Sequence, residues 1–214
     1  VFPPLYAILD DSIVPADDLA RWVSLAESLA DSGCRLIQVR AKQADSRAQL
    51  EIAMELVRAL NFTRARLIVN DRADIALLAG VGGVHVGQQD LGVEAARTIC
   101  PSPAWIGVST HTLDQVRAAD ATSADYVAFG PIFPTTTKLK PDALVGVEGL
   151  RAARALTRKP LVAIGGITLE SARDVYRAGA DSIAVASDLL RAKNPGSRVE
   201  EYLAIATEAT GASR

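Results

Sequence analysis

The 214-residue chain is 49% hydrophobic and 22% charged, close to the globular average, which excludes a disordered chain and allows a sizeable core. A formal net charge of −2 and a pI of about 5.7 exclude broad electrostatic binding to nucleic acid or to an anionic membrane, so any cationic site must be a focused pocket. No apolar run approaches the roughly 20 residues that span a bilayer, and the start, VFPPLYAILD, lacks the basic-then-apolar layout of a signal peptide, so a cytoplasmic protein is expected, with Cys34 and Cys100 as reduced packing thiols.

The first unit is an apolar strand, Leu5–Asp10, ending in Asp10-Asp11. A turn at Pro15 leads to a helix over about Asp17–Asp31, with Leu19, Val23, Ala26 and Ala30 at helical spacing and Gly33 as its stop. Strand Arg35–Arg40 precedes a helix over Gln49–Leu60, whose expected buried stripe is Leu50, Met54, Val57 and Leu60. The phrase returns in Leu67–Asn70 with Ala73–Ala79, in Gly83–Val86 with Val93–Ile99, and in Trp105–Ser109 with Leu113–Ala119. It continues in Tyr126–Gly130 with Val147–Leu156 and in Leu161–Ile164 with Leu169–Ala178. Strand Ser182–Val185 is last, with Ser187–Leu190 and a closing helix near Val199–Thr207. Eight strand–helix units, with no Gly-, Ser- or charge-rich linker between them, imply a parallel sheet covered by helices. This length suits an α/β fold of one domain over 1–214, a closed (β/α)8 TIM barrel. An open doubly wound sheet is the alternative, disfavoured because no GxGxxG follows the first strand.

Such folds place their sites at the carboxyl ends of the strands. The stretch Val127–Lys138 (VAFGPIFPTTTK) turns at Gly130-Pro131 from strand into a polar loop carrying Thr135, Thr136, Thr137 and Lys138, which suits an anion-binding mouth; an ordinary Pro-rich loop is the alternative. Strict alternation in Leu36–Lys42 puts Gln38, Arg40 and Lys42 on one face, where a solvated strand end is the bland reading. Asn70-Asp71 and Gly87-Gln88-Gln89-Asp90 bring two carboxylates to adjacent strand exits, which suits a Mg²⁺ ion between them and an anionic substrate. Alternatively, Asp71 and Asp90 cap the helices that follow them. Ser109 can donate its hydroxyl to an anion, with Thr110 or Thr112 as the next helix N-cap. His85 is expected to be a packed or hydrogen-bonded barrel residue, whereas His111 can act as an acid or base at the mouth. Gly165-Gly166 after the seventh strand and Ala186-Ser187 after the eighth each open a helical segment where backbone N–H groups can hold a phosphate; the alternative is a tight turn and nothing more.

On IQVRAK (37–42), VNDRADIAL (69–77), GVHVGQQDL (83–91), GVSTHT (107–112), FGPIFPTTTK (129–138), AIGGI (163–167) and AGADSIAVAS (178–187), in that order, the chain resembles the thiamine phosphate synthase family over nearly its whole length. The resemblance implies a transferase of thiamine biosynthesis that joins aminomethylpyrimidine diphosphate to thiazole phosphate with release of diphosphate. It implies that Gln38, Arg40, Lys42, Asn70, Ser109 and Lys138 hold the diphosphate and ring, and that Asp71 and Asp90 bind Mg²⁺. By the same resemblance Thr135, Thr136, Thr137, Gly165, Gly166, Ala186 and Ser187 form the thiazole phosphate site. Arg40, Lys42, Ser109 and Lys138 are the expected catalytic set, acting by electrostatics and alignment in a dissociative substitution. Family members often carry an acidic residue where this chain has Ala41, but alternation points Ala41 away from the mouth. Two other readings are carried forward: a thiazole phosphate tautomerase of the same superfamily using His111, and a non-catalytic regulator that binds thiamine-pathway phosphates. Small-molecule substrates are the expected partners, neither nucleic acid nor a membrane is, and homo-oligomerisation is left open.

Overall fold

Apolar strands that bury both faces need cover inside and outside, and the helices between them supply the outer layer. In the computed structural model, which describes residues 1–135 and 143–211, the strands are β1 (Leu5–Asp10), β2 (Leu36–Arg40), β3 (Arg66–Asn70), β4 (Gly83–Val86), β5 (Trp105–Thr110), β6 (Tyr126–Phe129), β7 (Leu161–Ile164) and β8 (Ser182–Val185). They pair in parallel in chain order, and β8 returns to β1 to close the barrel. The helices are α1 (Leu19–Asp31), α2 (Ser46–Leu60), α3 (Ala73–Ala79), α4 (Val93–Ile99), α5 (Leu113–Asp120), α6 (Gly146–Arg154), α7 (Leu169–Arg177), α8 (Ser187–Leu190) and α9 (Pro195–Gly211). The chain is a (β/α)8 barrel, as its periodicity predicts. Among the described residues no helix is long and apolar enough to cross a membrane.

The period-two alternation of each strand builds two separate cores. Leu9, Ile37, Val69, Val108, Phe129 and Val185 face outward and pack under the helices, while Tyr6, Ile8, Leu36, Ile68, Tyr126, Ala128, Val162 and Ala184 fill the barrel. Each large aliphatic side chain so buried contributes roughly 1.5–3 kcal/mol. Phe2 closes the amino-terminal end of the barrel, stacked 5.2 Å from Trp105.

Element existence follows the sequence reading, and the boundaries move where capping decides them. Helix α2 begins three residues before the predicted Gln49 because Asp45 at its N-cap accepts a hydrogen bond from Ala48 N at 2.9 Å. Its buried residues are Ile52, Ala53, Leu56 and Leu60, so of the predicted stripe only Leu60 is buried. Leu50 and Val57 are only partly buried, and Met54 is 37% exposed. The helix is apolar over more than one stripe, and its docking against α1 and α3 selects which face is covered. The closing helix is also longer than Val199–Thr207, running from Pro195 to Gly211.

Candidate active site

The site is assembled at the carboxyl ends of the strands from side chains that strand pleat alone directs inward. On β2 and its exit, Gln38, Arg40 and Lys42 line the mouth, while Ala41 is buried in the outer core, as alternation requires. Register pairs Arg40 with Asp10 of β1. Asp10 is fully buried, and its carboxylate accepts from Arg40 Nη1 at 2.5 Å, from Ser12 N at 2.9 Å and from Ser12 Oγ at 2.5 Å. A buried carboxylate so satisfied is tolerable because its charge is paired and its lone pairs are used. It fixes the guanidinium at the rim. The neighbouring Asp11 accepts from Gln43 N and Ala44 N and so ties down the loop that follows Lys42.

The two acidic exits meet. Asp71 takes a left-handed backbone with φ of 63°, a conformation that costs a non-glycine residue roughly 1–2 kcal/mol, and its N–H donates to the His85 carbonyl at 2.7 Å. Its carboxylate lies 2.7 Å from Lys42 Nζ. The Asp90 carboxylate accepts from Gly87 N at 2.8 Å. Neither aspartate caps a helix: the N-cap of α3 is Arg72 and that of α4 is Gly92, both without a side-chain cap bond. Partial burial, and then the nearby Asp71 carboxylate, hold the Asp90 carboxyl above the usual carboxylate range. Two adjacent carboxylates, with no cluster of three or more acidic, histidine or cysteine ligands among the described residues, fit Mg²⁺. That ion prefers oxygen, keeps part of its water shell and takes phosphate oxygens as its remaining ligands.

The floor of the mouth is polar. Gln38 Nε2 donates to Tyr6 OH at 2.7 Å, the hydroxyls of Tyr6 and Tyr126 are 2.9 Å apart, Tyr126 OH lies 3.1 Å from His85 Nδ1, and His85 Nε2 lies 2.8 Å from Ser109 Oγ. Burial lowers the His85 pKa to about 4, against a smaller opposing pull from Asp90, so the ring is neutral at pH 7. It is the hydrogen-bonded barrel residue that the sequence suggests. Burial likewise raises the Tyr6 and Tyr126 hydroxyls above the usual phenol range.

The second half of the mouth comes from β6, β7 and β8. Gly165 and Gly166 have φ of 101° and 62°, and a Cβ on Gly165 would lie 2.6 Å from Pro131 Cβ, while one on Gly166 would overlap the Pro134 carbonyl. These glycines let the β7 exit press against the β6 loop, which donates from Ile132 N to Ile164 O at 2.9 Å and from Phe133 N to Gly165 O at 3.0 Å. Ala186 and Ser187 open α8, where Asp188 is held by Arg198 at 2.7 Å and by Tyr202 OH at 2.6 Å. Beyond β5, Thr112 is the N-cap of α5, while Thr110 at the strand's end donates to Ala128 O at 2.8 Å. His111 Nδ1 lies 2.7 Å from the Gly130 carbonyl and so carries its proton there.

Gln38, Arg40, Lys42, Asn70, Asp71, Asp90, Ser109, Thr135, Gly165, Gly166, Ala186 and Ser187 all border one cavity of about 830 Å³, a size suited to two small ligands. The remaining expected members, Thr136, Thr137 and Lys138, lie outside the described residues. Sequence reasoning passed over Asp10, Tyr6 and Tyr126. Their signal was a polar atom inside an otherwise apolar strand, which becomes legible only once strand register is known. A second cavity, about 880 Å³, opens at the amino-terminal end of the barrel beside Phe2, Arg154 and Arg158 and contains none of these residues.

Residues 5–189 match the family model described as thiamine monophosphate synthase. The chain is 49% identical over 204 residues to the thiamine-phosphate synthase of Koribacter versatilis, covering 95% of each chain. It is 40% identical over 186 residues to that of Methanospirillum hungatei, covering 87% of this chain and 89% of the relative. Among solved structures, the thiamine phosphate pyrophosphorylase from Pyrococcus furiosus superimposes with a TM-score of 0.85 at 33% identity over 96% of both chains. With its barrel, the family model and these relatives in agreement, the chain belongs to the thiamine monophosphate synthase family.

Proposed function

We propose that this chain is a thiamine phosphate synthase, a transferase that joins 4-amino-2-methyl-5-(diphosphooxymethyl)pyrimidine to thiazole phosphate and releases diphosphate, with residues 1–214 acting as one catalytic domain. The observation that carries this reading is the convergence of a basic pair, Arg40 and Lys42, and an acidic pair, Asp71 and Asp90, on one cavity whose far side is the Gly165-Gly166 and Ala186-Ser187 wall. Arg40, aligned by Asp10, and Lys42 bind the diphosphate and stabilise its growing negative charge as the methylene C–O bond breaks and the bonding pair leaves with the phosphate oxygen. The aminopyrimidine ring carries the resulting positive charge, and the thiazole nitrogen lone pair forms the new C–N bond. No covalent nucleophile is required, and alignment of the two substrates in one cavity supplies much of the rate. Gln38, Asn70 and Ser109 hold the ring. Thr135, Gly165, Gly166, Ala186 and Ser187 hold the thiazole phosphate, joined in this reading by Thr136 and Thr137, with Lys138 reaching the diphosphate.

Asp71 and Asp90 would hold Mg²⁺, which when bound adds positive charge to the diphosphate oxygens. Lys42 beside Asp71 keeps that carboxylate oriented and its charge balanced.

The test supplies both substrates with Mg²⁺ and follows thiamine phosphate and diphosphate. Equal amounts of the two products support the synthase. Proton exchange on the thiazole without product would favour a tautomerase, and binding without either reaction would favour a regulator.

A further inference from the structure

We propose that Gln38, Tyr6, Tyr126, His85 and Ser109 form a one-way hydrogen-bond relay that fixes His85 as its Nε2–H tautomer and presents the Ser109 hydroxyl to the ligand as a hydrogen donor. Tyr6, Tyr126 and His85 are then positioning residues for the pyrimidine substrate. The direction follows from counting hydrogens. An amide nitrogen can only donate, so the contact from Gln38 Nε2 makes Tyr6 OH the acceptor at 2.7 Å. The single Tyr6 hydrogen then goes to Tyr126 OH at 2.9 Å. The single Tyr126 hydrogen goes to His85 Nδ1 at 3.1 Å, which therefore carries none. The ring hydrogen sits on Nε2 and is donated to Ser109 Oγ at 2.8 Å. Ser109 has then accepted one bond and retains its own hydrogen at the edge of the cavity.

The hydrogen it retains suits an acceptor on the ligand, either an anionic oxygen or an unprotonated ring nitrogen. An independent feature of the barrel makes room for the relay. Register places His85, Gly107 and Tyr126 side by side on β4, β5 and β6, and a Cβ on Gly107 would overlap the Tyr126 hydroxyl and lie 2.5 Å from His85 Nδ1. Glycine on the middle strand is what lets the two side chains meet.

The inference that the presented ligand is the pyrimidine diphosphate rests on the synthase reading, but the tautomer does not. The direct test is a long-range ¹H–¹⁵N correlation spectrum of the ¹⁵N-histidine-labelled, ligand-free chain. It contains two histidines, so the His111→Gln variant assigns the His85 signals. Protonated Nε2 with bare Nδ1 is expected; protonated Nδ1, or an average of both tautomers, overturns the relay. In Tyr126→Phe, and separately in Tyr6→Phe, the His85 signals should become a tautomer mixture. KM for the pyrimidine diphosphate should rise about tenfold, with KM for thiazole phosphate unchanged. A pure Nε2–H spectrum and an unchanged KM in either folded variant overturns the proposal, and if neither variant folds the wild-type spectrum still decides it. An Nδ1–H spectrum in an active synthase defeats the relay alone, whereas an Nε2–H spectrum in a chain that makes no thiamine phosphate upholds the relay and defeats the synthase reading.

Discussion

Asp10→Asn is the substitution that most sharply separates alignment of the cations from their mere presence. In the native chain one Asp10 oxygen serves Ser12 and the other serves Arg40. Asparagine can keep the Ser12 bonds, but its amide N–H₂ then faces the guanidinium, donor against donor. Asp10 has 0% side-chain exposure and Arg40 21%. Breaking a fully buried pair by removing one partner costs roughly 3–5 kcal/mol, and the partial exposure of Arg40 reduces this to about 2–3 kcal/mol. With a urea slope of about 1–3 kcal/mol per molar, the unfolding midpoint should fall by about 1 M at unchanged slope. Because a misplacement near 1 Å costs about a hundredfold, kcat/KM for the pyrimidine diphosphate should fall by that factor while thiazole phosphate affinity is retained. Urea titration and steady-state kinetics on the same preparation make the comparison. A midpoint and kcat/KM both within error of wild type would refute the claim that Asp10 holds Arg40.

The other expectations concern protons, metal and the β6 loop. His85 has an ordinary value of 6.5 and a folded value lowered to about 4, so the unfolded chain binds the extra proton and stability falls as pH drops through that window, by about 3 kcal/mol in total for this group. The slope of unfolding free energy between pH 7 and 4 should therefore be shallower in His85→Gln; identical slopes would contradict the buried neutral ring. Mg²⁺ should raise the thermal midpoint of the wild type and leave that of an Asp71→Asn, Asp90→Asn double variant unmoved, and chelation should abolish turnover; an equal shift in both proteins would remove the ion from these carboxylates. Lys138→Ala should depress turnover strongly with thiazole phosphate binding largely retained, and normal turnover would sink the assignment of Lys138 to the diphosphate.

The barrel was legible because each strand is short, apolar and followed by a helical stripe, and the mouth was legible because polar residues begin where the strands end. Gln38, Arg40 and Lys42 needed only the two-residue period of β2. For Asp71 and Asp90 the sequence leaves capping open, and only the structure removes it by placing the caps of α3 and α4 at Arg72 and Gly92. Asp10 was hidden because its partner is 30 residues away, across a register that no local pattern encodes. Tyr6 and Tyr126 were hidden because a phenol ring reads as core while its hydroxyl does the connecting, over a separation of 120 residues. The face of α2 was misread for a related reason: its sequence is apolar over more than one stripe, and the neighbours decide which is buried.

The most direct measurement of how this mouth divides its labour is a crystal structure of the chain with Mg²⁺ and the pyrimidine diphosphate. The account predicts an ion bound by oxygens of Asp71 and Asp90, the diphosphate on Arg40 and Lys42, and the Gly165–Ser187 side left for the second phosphate. A diphosphate seated instead at Gly165, Gly166 and Ser187, with Arg40 and Lys42 making no contact to it, would contradict it.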